Sequence, residues 1–386
     1  MTKKQLIFIF VFNIFLVVVW SFVVWKINNT TISSLGLSIQ STMWSTVKNN
    51  KQTHLLDIQS HLIDTIATTK QSVVSIIISK DVKRYIDDPT QLHGPWSIKD
   101  QISVTWWGSG ILVSKKWYIL TNKHVVQDTN AKYAVVLSNG KTYNVDKVWL
   151  DSVLDIAILK IIDTDWSVPE KIIPANFLPL TTKVQVGQFV FAIGNTIAKY
   201  PHTVTMWILG GKNKTLTINS NNTYIGLYQT DAQSNPGNSW GPLIDINGNV
   251  LGIITAIAEW EGISFALPLS QEFIHNTLLS IETFGKITRP IIGIQYVEIT
   301  PTIKKEKDMT FDTGIYLTDV LGDLPAWKAW IKAGDSIISV NWIPITTETP
   351  FLYQLYTYKP WDTIQLEVVR EGKTTPIPVF LEWNIQ

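Results

Sequence analysis

From Ser72-Val73-Val74-Ser75-Ile76-Ile77-Ile78 onward the chain is written in short β-branched runs, each broken within a few residues by Gly, Pro or Asn. β-Branched side chains are stiff at χ1 and fit a pleated, half-buried surface, so text of this kind folds into strands and turns. Many short strands with frequent turn signals predict a sandwich or barrel. Ser109-Gly110-Ile111-Leu112-Val113-Ser114 and Tyr118-Ile119-Leu120-Thr121 read as paired strands, and the run from Asp155 to Ile162 reads as a strand that starts at an acidic residue. A second barrel is expected from near Gln188 to about Pro268. A helix over 269–284 closes it, because Phe273, Leu278, Leu279 and Ile281 recur at helical spacing.

Three segments inside this β-rich text carry chemistry. They are Thr121-Asn122-Lys123-His124-Val125-Val126, then Asp151-Ser152-Val153-Leu154-Asp155-Ile156-Ala157, then Thr230-Asp231-Ala232-Gln233-Ser234-Asn235-Pro236-Gly237-Asn238-Ser239-Trp240-Gly241-Pro242-Leu243. The chain order His, Asp, Ser is that of chymotrypsin-type barrels, not of subtilisins or α/β-hydrolases. A serine hydroxyl needs a base to attack at neutral pH. In this reading Ser239 is the nucleophile and His124 the base that later protonates the leaving amine, while Asp155 orients the imidazole. The backbone N–H groups of Gly237 and Ser239 would hold a tetrahedral oxyanion. Asp151 is a rival for the acid.

The three segments resemble the HtrA/Deg family of trypsin-like serine proteases, whose pattern is TNxHVV, then DxxxDxAxLKI, then TDAxxNPGNSGGPL. Asn247-Gly248-Asn249-Val250-Leu251-Gly252-Ile253 and Ser264-Phe265-Ala266-Leu267-Pro268 are similar to the strands that follow the family's nucleophile. Farther on, Arg289-Pro290-Ile291-Ile292-Gly293-Ile294, Gly314-Ile315-Tyr316-Leu317-Thr318-Asp319-Val320 and Pro325 to Asn341 resemble a PDZ domain. The resemblance covers roughly residues 65 to 386. It implies a mainly β protein, with a chymotrypsin-like double β-barrel over 65–284 and a PDZ domain over 286–386. It also implies Asp155 as the acid, a substrate-pocket wall at Thr255, Ala256 and Ile257, and capture of a peptide carboxylate by the loop Ile291, Ile292, Gly293, Ile294. Unfolded or regulatory envelope proteins as substrates, C-terminal peptides at the PDZ domain and a homotrimer follow from the same resemblance, with no metal or organic cofactor.

Trp240 departs from the pattern, since the family has glycine immediately after the serine. Trp117, Trp149, Trp207, Trp330, Trp342 and Trp361 also stand where the family usually carries glycine. Turn chemistry makes the same point without the family. Asn341-Trp342 lies between alternating apolar runs where Asn-Gly would make a type I′ hairpin turn, and Pro360-Trp361-Asp362 lies where Pro-Gly-Asp would make a type II turn. The chain has 17 Trp against 14 Phe and 12 Tyr, which reverses the usual order of aromatics. One reading is that these tryptophans are UGA codons which the source organism translates as glycine. The other is a Trp-rich protein with a damaged active site, a membrane-tethered peptide-binding or chaperone module that no longer catalyses.

Composition bounds the rest. A formal net charge of +1 argues against a nucleic-acid footprint, which needs a concentrated basic face. The absence of cysteine excludes a disulfide framework, a thiolate nucleophile and a cysteine zinc site. Lys3 and Lys4 precede an apolar run from Leu6 to Trp25, long enough to cross a bilayer and followed by no A-x-A cleavage site, so residues 1–28 are expected to form one N-terminal transmembrane helix, with a cleaved signal peptide as the competing reading. The lysines belong on the cytoplasmic side, which makes the protein a single-pass cell-membrane protein with an extracytoplasmic catalytic domain. Residues 29–64, rich in Ser, Thr, Asn and Gln, read as a linker.

Overall fold

The structure is a computed structural model that describes residues 16–26, 57–86, 97–162, 173–196, 200–219, 222–231, 240–258 and 262–383. Gly237 and Ser239 lie outside the described residues, as do residues 1–15 of the apolar segment and most of the linker. The chain divides into two units, 1–63 and 64–386. The described part of the apolar segment is a helix, α1 (residues 16–26), with exposed side chains, and a second helix, α2, covers residues 57–69. Among the described residues no helix is long and apolar enough to cross a membrane.

The first barrel is built from β1 (Val73–Ile86), β2 (Ser97–Leu112), β3 (Tyr118–Thr121), β4 (Lys132–Val136), β5 (Thr142–Leu150) and β6 (Ala157–Ile162). It closes in the order β1-β2-β3-β6-β5-β4, with β4 returning to β1. Val74, Ile76 and Ile78 alternate along β1 and share one core with Leu112, Ile119, Val135 and Leu159, as the two-residue period of a strand requires. Between β3 and β4 the chain makes the short helix α3 (Lys123–Val126).

β7 (Asn176–Phe177), β8 (Phe189–Thr196), β9 (Tyr200–Asn219), β10 (Asn222–Thr230), β11 (Pro242–Ile244), β12 (Asn249–Ala258) and β13 (Ile263–Pro268) make a second sheet, ordered β11-β8-β9-β10-β13-β12-β7. β11 also pairs with β12, which turns this sheet into a ring. The helix expected over 269–284 is α4 (Gln271–Phe284): the Ser270 hydroxyl accepts from the Phe273 N–H at its start, and Gly285, at φ 70°, ends it.

The last part of the chain pairs β14 (Pro290–Ile291) with β21 (Glu382–Trp383). Its main sheet runs β15 (Ile294–Glu298), β16 (Ile315–Val320), β17 (Ser336–Val340), β19 (Thr363–Arg370), β20 (Lys373–Phe380), and β18 (Ile343–Pro344) pairs with β17. Helices α5 (Pro301–Glu306), α6 (Pro325–Lys328) and α7 (Phe351–Leu355) complete it. This module docks on the second barrel through α7: the Tyr353 hydroxyl donates to the Ile225 carbonyl at 3.1 Å. Its ring occupies the space where a Cβ on Gly226 would stand. Asn213 donates to Glu298 at 2.7 Å beside an ion pair of Lys212 with Glu348.

Among the described residues five tryptophans hold left-handed backbone: Trp117 (φ 70°), Trp240 (φ 65°), Trp330 (φ 62°), Trp342 (φ 68°) and Trp361 (φ 73°). Each occupies a site whose geometry asks for glycine. Asn341 (φ 45°) and Trp342 are the two central residues of the turn joining Val340 to its partner Ile343, and positive φ at both is the mark of type I′. Trp361 follows Pro360 in a turn closed by the Asp362 N–H donating to the Lys359 carbonyl, the i+2 position of type II. Trp330 ends α6: its N–H bonds the Trp327 carbonyl and the Ile331 N–H bonds the Ala326 carbonyl, a Schellman motif with tryptophan at the position glycine prefers. Trp117 turns β2 into β3, its N–H bonded to the Ser114 carbonyl.

Trp149 and Trp207 differ. Both lie in strands, β5 and β9, without positive φ. The Trp149 indole donates to the Gly285 carbonyl at 2.8 Å, so nothing in its setting asks for glycine. Trp207 has a buried Nε1 without a hydrogen-bond partner among the described residues, a cost of packing and not of backbone.

Candidate active site

β3 ends at Thr121, and Asn122, in extended backbone, turns the chain into α3. α3 carries His124 and buries Val125 and Val126 in the first barrel. Gly108 lets it approach: a Cβ there would come within 2.6 Å of Val125 Cγ1. The loop after β5 delivers Asp155, which is 5% exposed.

Asp155 and His124 meet through two bonds. The His124 backbone N–H donates to Asp155 Oδ1 at 3.0 Å, and His124 Nδ1 lies 2.7 Å from Asp155 Oδ2. The second barrel contributes a third group: the Thr255 hydroxyl, on β12, donates to the same Oδ2 at 2.6 Å. Asn122 Nδ2 donates to Asp155 Oδ2 at 3.1 Å and to Thr255 Oγ1 at 2.9 Å, tying the two barrels together behind the imidazole. Burial alone would raise the Asp155 carboxyl. The His124 ring bond and its charge, the Thr255 hydroxyl and the His124 backbone N–H outweigh it and hold the group below the usual carboxylate range. With Nδ1–H committed to Asp155, Nε2 is the ring atom left to act as base.

Thr255, expected in the wall of a substrate pocket, commits its hydroxyl to the acid. No sequence signal marks that role, because the bond spans 100 residues. Asp151, the rival acid, pairs with Arg289, and its other carboxylate oxygen accepts the N–H groups of Val153 and Leu154. Trp240, next in the chain to Ser239, packs against the first-barrel core and sets its ring edge-on to His124, with centroids 5.8 Å apart. Ser239 and Gly237 are outside the described residues. Of the loop Ile291, Ile292, Gly293, Ile294, Ile292 is buried and its carbonyl accepts from the Ala326 N–H, while Gly293, at φ 77°, accepts from the Leu321 N–H. It opens onto β15, an edge strand, where Tyr296 meets Phe351 of α7 edge-on at 5.5 Å.

Two barrels with a His–Asp pair at their seam, followed by a small β module docked on the second, define a trypsin-like peptidase fold with a PDZ domain. Residues 108–253 match the trypsin-like peptidase domain model and residues 290–381 the PDZ domain model. A probable periplasmic serine endoprotease DegP-like of Pseudomonas putida (strain W619) is 33% identical over 276 residues, 70% of this chain and 55% of the relative. The chain thus spans about half the length of that relative. A serine protease Do-like HtrA of Lactococcus lactis subsp. cremoris (strain MG1363) is 29% identical over 378 residues, 92% of this chain and 90% of the relative. The solved structure of the HtrA-type protease AlgW with decapeptide superposes with a TM-score of 0.58 at 25% identity, over 84% of this chain and 99% of that one. The chain belongs to the HtrA/Deg family of trypsin-like serine proteases with a C-terminal PDZ domain.

Proposed function

We propose that this chain is a serine endopeptidase of the cell envelope that uses Ser239 as nucleophile, His124 as general base and acid, and Asp155 as the group that fixes the imidazole. The observation that carries the reading is the His124–Asp155 pair, closed at 2.7 Å and braced by Thr255. Nε2 takes the Ser239 hydroxyl proton as the oxygen attacks the scissile carbonyl. The N–H groups of Gly237 and Ser239 take the oxyanion. The imidazolium returns the proton to the leaving amine, and water releases the acyl group by the same route reversed. In this reading residue 240 of the native chain is glycine, which leaves the space beside the imidazole open to substrate. The full-length Trp240→Gly form should react with a fluorophosphonate and cleave an unfolded protein. Cleavage that survives Ser239→Ala would refute the assignment.

The same reading gives the loop Ile291 to Ile294 the carboxylate of a peptide C-terminus, with the peptide added as a strand along β15. The AlgW structure, which carries a decapeptide, supports it by likeness. Amidated peptides should then bind at least about tenfold more weakly than the acids. We further propose a protease domain over 65–284, a PDZ domain over 286–386, a trimer and a membrane anchor within residues 1–28. Limited proteolysis near residue 285, sedimentation and alkaline extraction of native membranes test these in turn.

A second reading is favoured by one observation, the Trp240 indole against His124: a catalytically silent, membrane-tethered module that binds peptides through its PDZ domain. Peptide mass spectrometry of native protein separates the two, since tryptophan at residue 240 supports the silent module and glycine the enzyme.

A further inference from the structure

Arg289 lies between α4 and β14, outside the barrels, yet it is 2% exposed. Its Nε donates to Asp151 Oδ2 at 2.8 Å. Nη2 is 2.8 Å from the same oxygen, within ion-pairing distance but misaligned for a second hydrogen bond. The guanidinium carbon stands 4.1 Å from the centre of the Phe273 ring of α4 and 5.7 Å from that of Tyr356, just past α7. Asp151 is as buried as its partner, at 1%. A buried carboxylate needs its countercharge, so this pair holds both ends in place.

Asp151 shapes the turn that presents Asp155. Its Oδ1 accepts the N–H groups of Val153 at 2.9 Å and Leu154 at 3.0 Å. Its backbone N–H closes the turn on the Ile156 carbonyl at 2.9 Å. Its carbonyl accepts from Lys123 Nζ at 2.8 Å, and Lys123 directly precedes His124. Asp151 therefore sets both flanks of the His124–Asp155 pair, and Arg289 is what holds its side chain.

We propose that Arg289 is a positioning residue for the His124–Asp155 pair, acting through Asp151 from beyond the two barrels. The inference rests on the serine-protease reading of the site. Removing the guanidinium leaves Asp151 as an unpaired buried carboxylate, which draws water or turns outward and releases the N–H groups of Val153 and Leu154. Asp155 then loses its fixed distance to Nδ1, and displacements of about 1 Å at such a site are enough to slow chemistry by orders of magnitude.

The test uses the full-length chain carrying Trp240→Gly as parent, with Arg289→Met, Arg289→Lys and the double variant Asp151→Asn/Arg289→Met. Fluorophosphonate labelling per folded molecule should slow at least about tenfold in Arg289→Met, lie between in Arg289→Lys, and recover in part in the double variant. The low-field proton resonance of His124 Nδ1–H should broaden or vanish in step, while affinity for a C-terminal peptide stays at the parent value. A lowered melting temperature with unchanged labelling and an unchanged resonance would overturn the proposal, because that is what a purely structural ion pair gives. Should Arg289→Met fail to fold, Arg289→Lys decides by the same two readouts. A parent that does not label at all counts against the protease reading, and the resonance alone then tests the positioning role.

Discussion

Replacing Trp330 and Trp342 with glycine should stabilise this chain. Both are left-handed, at φ 62° and 68°, and both are largely exposed, at 79% and 65%. A Cβ in that conformation crowds the following carbonyl and costs roughly 1–2 kcal/mol per residue. Glycine removes this cost but gives back about 0.4–1 kcal/mol through its greater freedom in the unfolded chain. The net gain is then about 0.5–1 kcal/mol at each site, and the exchange forfeits little packing because the indoles face solvent. The sites lie in separate turns, one ending α6 and one joining β17 to β18, so the gains should add to about 1–2 kcal/mol. That corresponds to a rise in melting temperature of order 5–10 °C where the PDZ module melts as its own unit, and about half as much where the whole chain melts together. Trp327 is the internal control. It is 53% exposed but lies inside α6 without positive φ, so Trp327→Gly should cost about 0.5–1 kcal/mol. Differential scanning calorimetry of the three single variants reads the signs directly. A fall at residues 330 and 342 equal to that at 327 would refute the reasoning.

Three further outcomes are expected. Asp155 is held below the ordinary carboxylate range, so its contribution to stability is full above about pH 3.9 and disappears as pH falls through its lowered value. The stability gap between the parent and Asp155→Asn should therefore be flat from pH 7 down to about pH 4 and narrow below it in thermal melts; a gap still constant at the most acid pH that keeps the chain folded would contradict the assignment. Thr255→Val keeps the shape but deletes the 2.6 Å bond to Asp155, which should cost roughly 1.5–3 kcal/mol of stability and slow fluorophosphonate labelling, and a neutral result in both would remove Thr255 from the site. Tyr353→Ala empties a buried ring position between the PDZ module and the second barrel, and denaturant titration should show a loss of roughly 3–5 kcal/mol.

What is legible in the sequence is local. The type I′ turn at Asn341-Trp342 and the type II turn at Pro360-Trp361 depend on residues that are neighbours in the chain, and α4 announces itself by spacing, by Ser270 at its start and by Gly285 at its end. Trp207 shares a motif position with the turn residues but lies in the long strand β9, because one motif position says nothing about the φ around it. Thr255 and Arg289 are out of reach for a different reason. Their partners are 100 and 138 residues away, and only the closing of the second barrel and the docking of the junction bring them to Asp155 and Asp151.

Residue 240 joins the question of strain to the question of chemistry. A decayed active site explains a tryptophan beside His124, but it offers no reason for tryptophan at a hairpin turn, a type II turn, a helix end and the β2–β3 turn, all in separate turns and all left-handed. A codon read as glycine explains all five at once, and it makes a restricted claim: tryptophans such as Trp149, whose indole is bonded to the Gly285 carbonyl, need not share that origin. At 330 and 342 the choice of residue changes stability alone. At 240 the same exchange relieves the backbone and withdraws an indole ring from the edge of the imidazole, so in the protease reading the substitution that suits the left-handed backbone would also open His124 to a substrate.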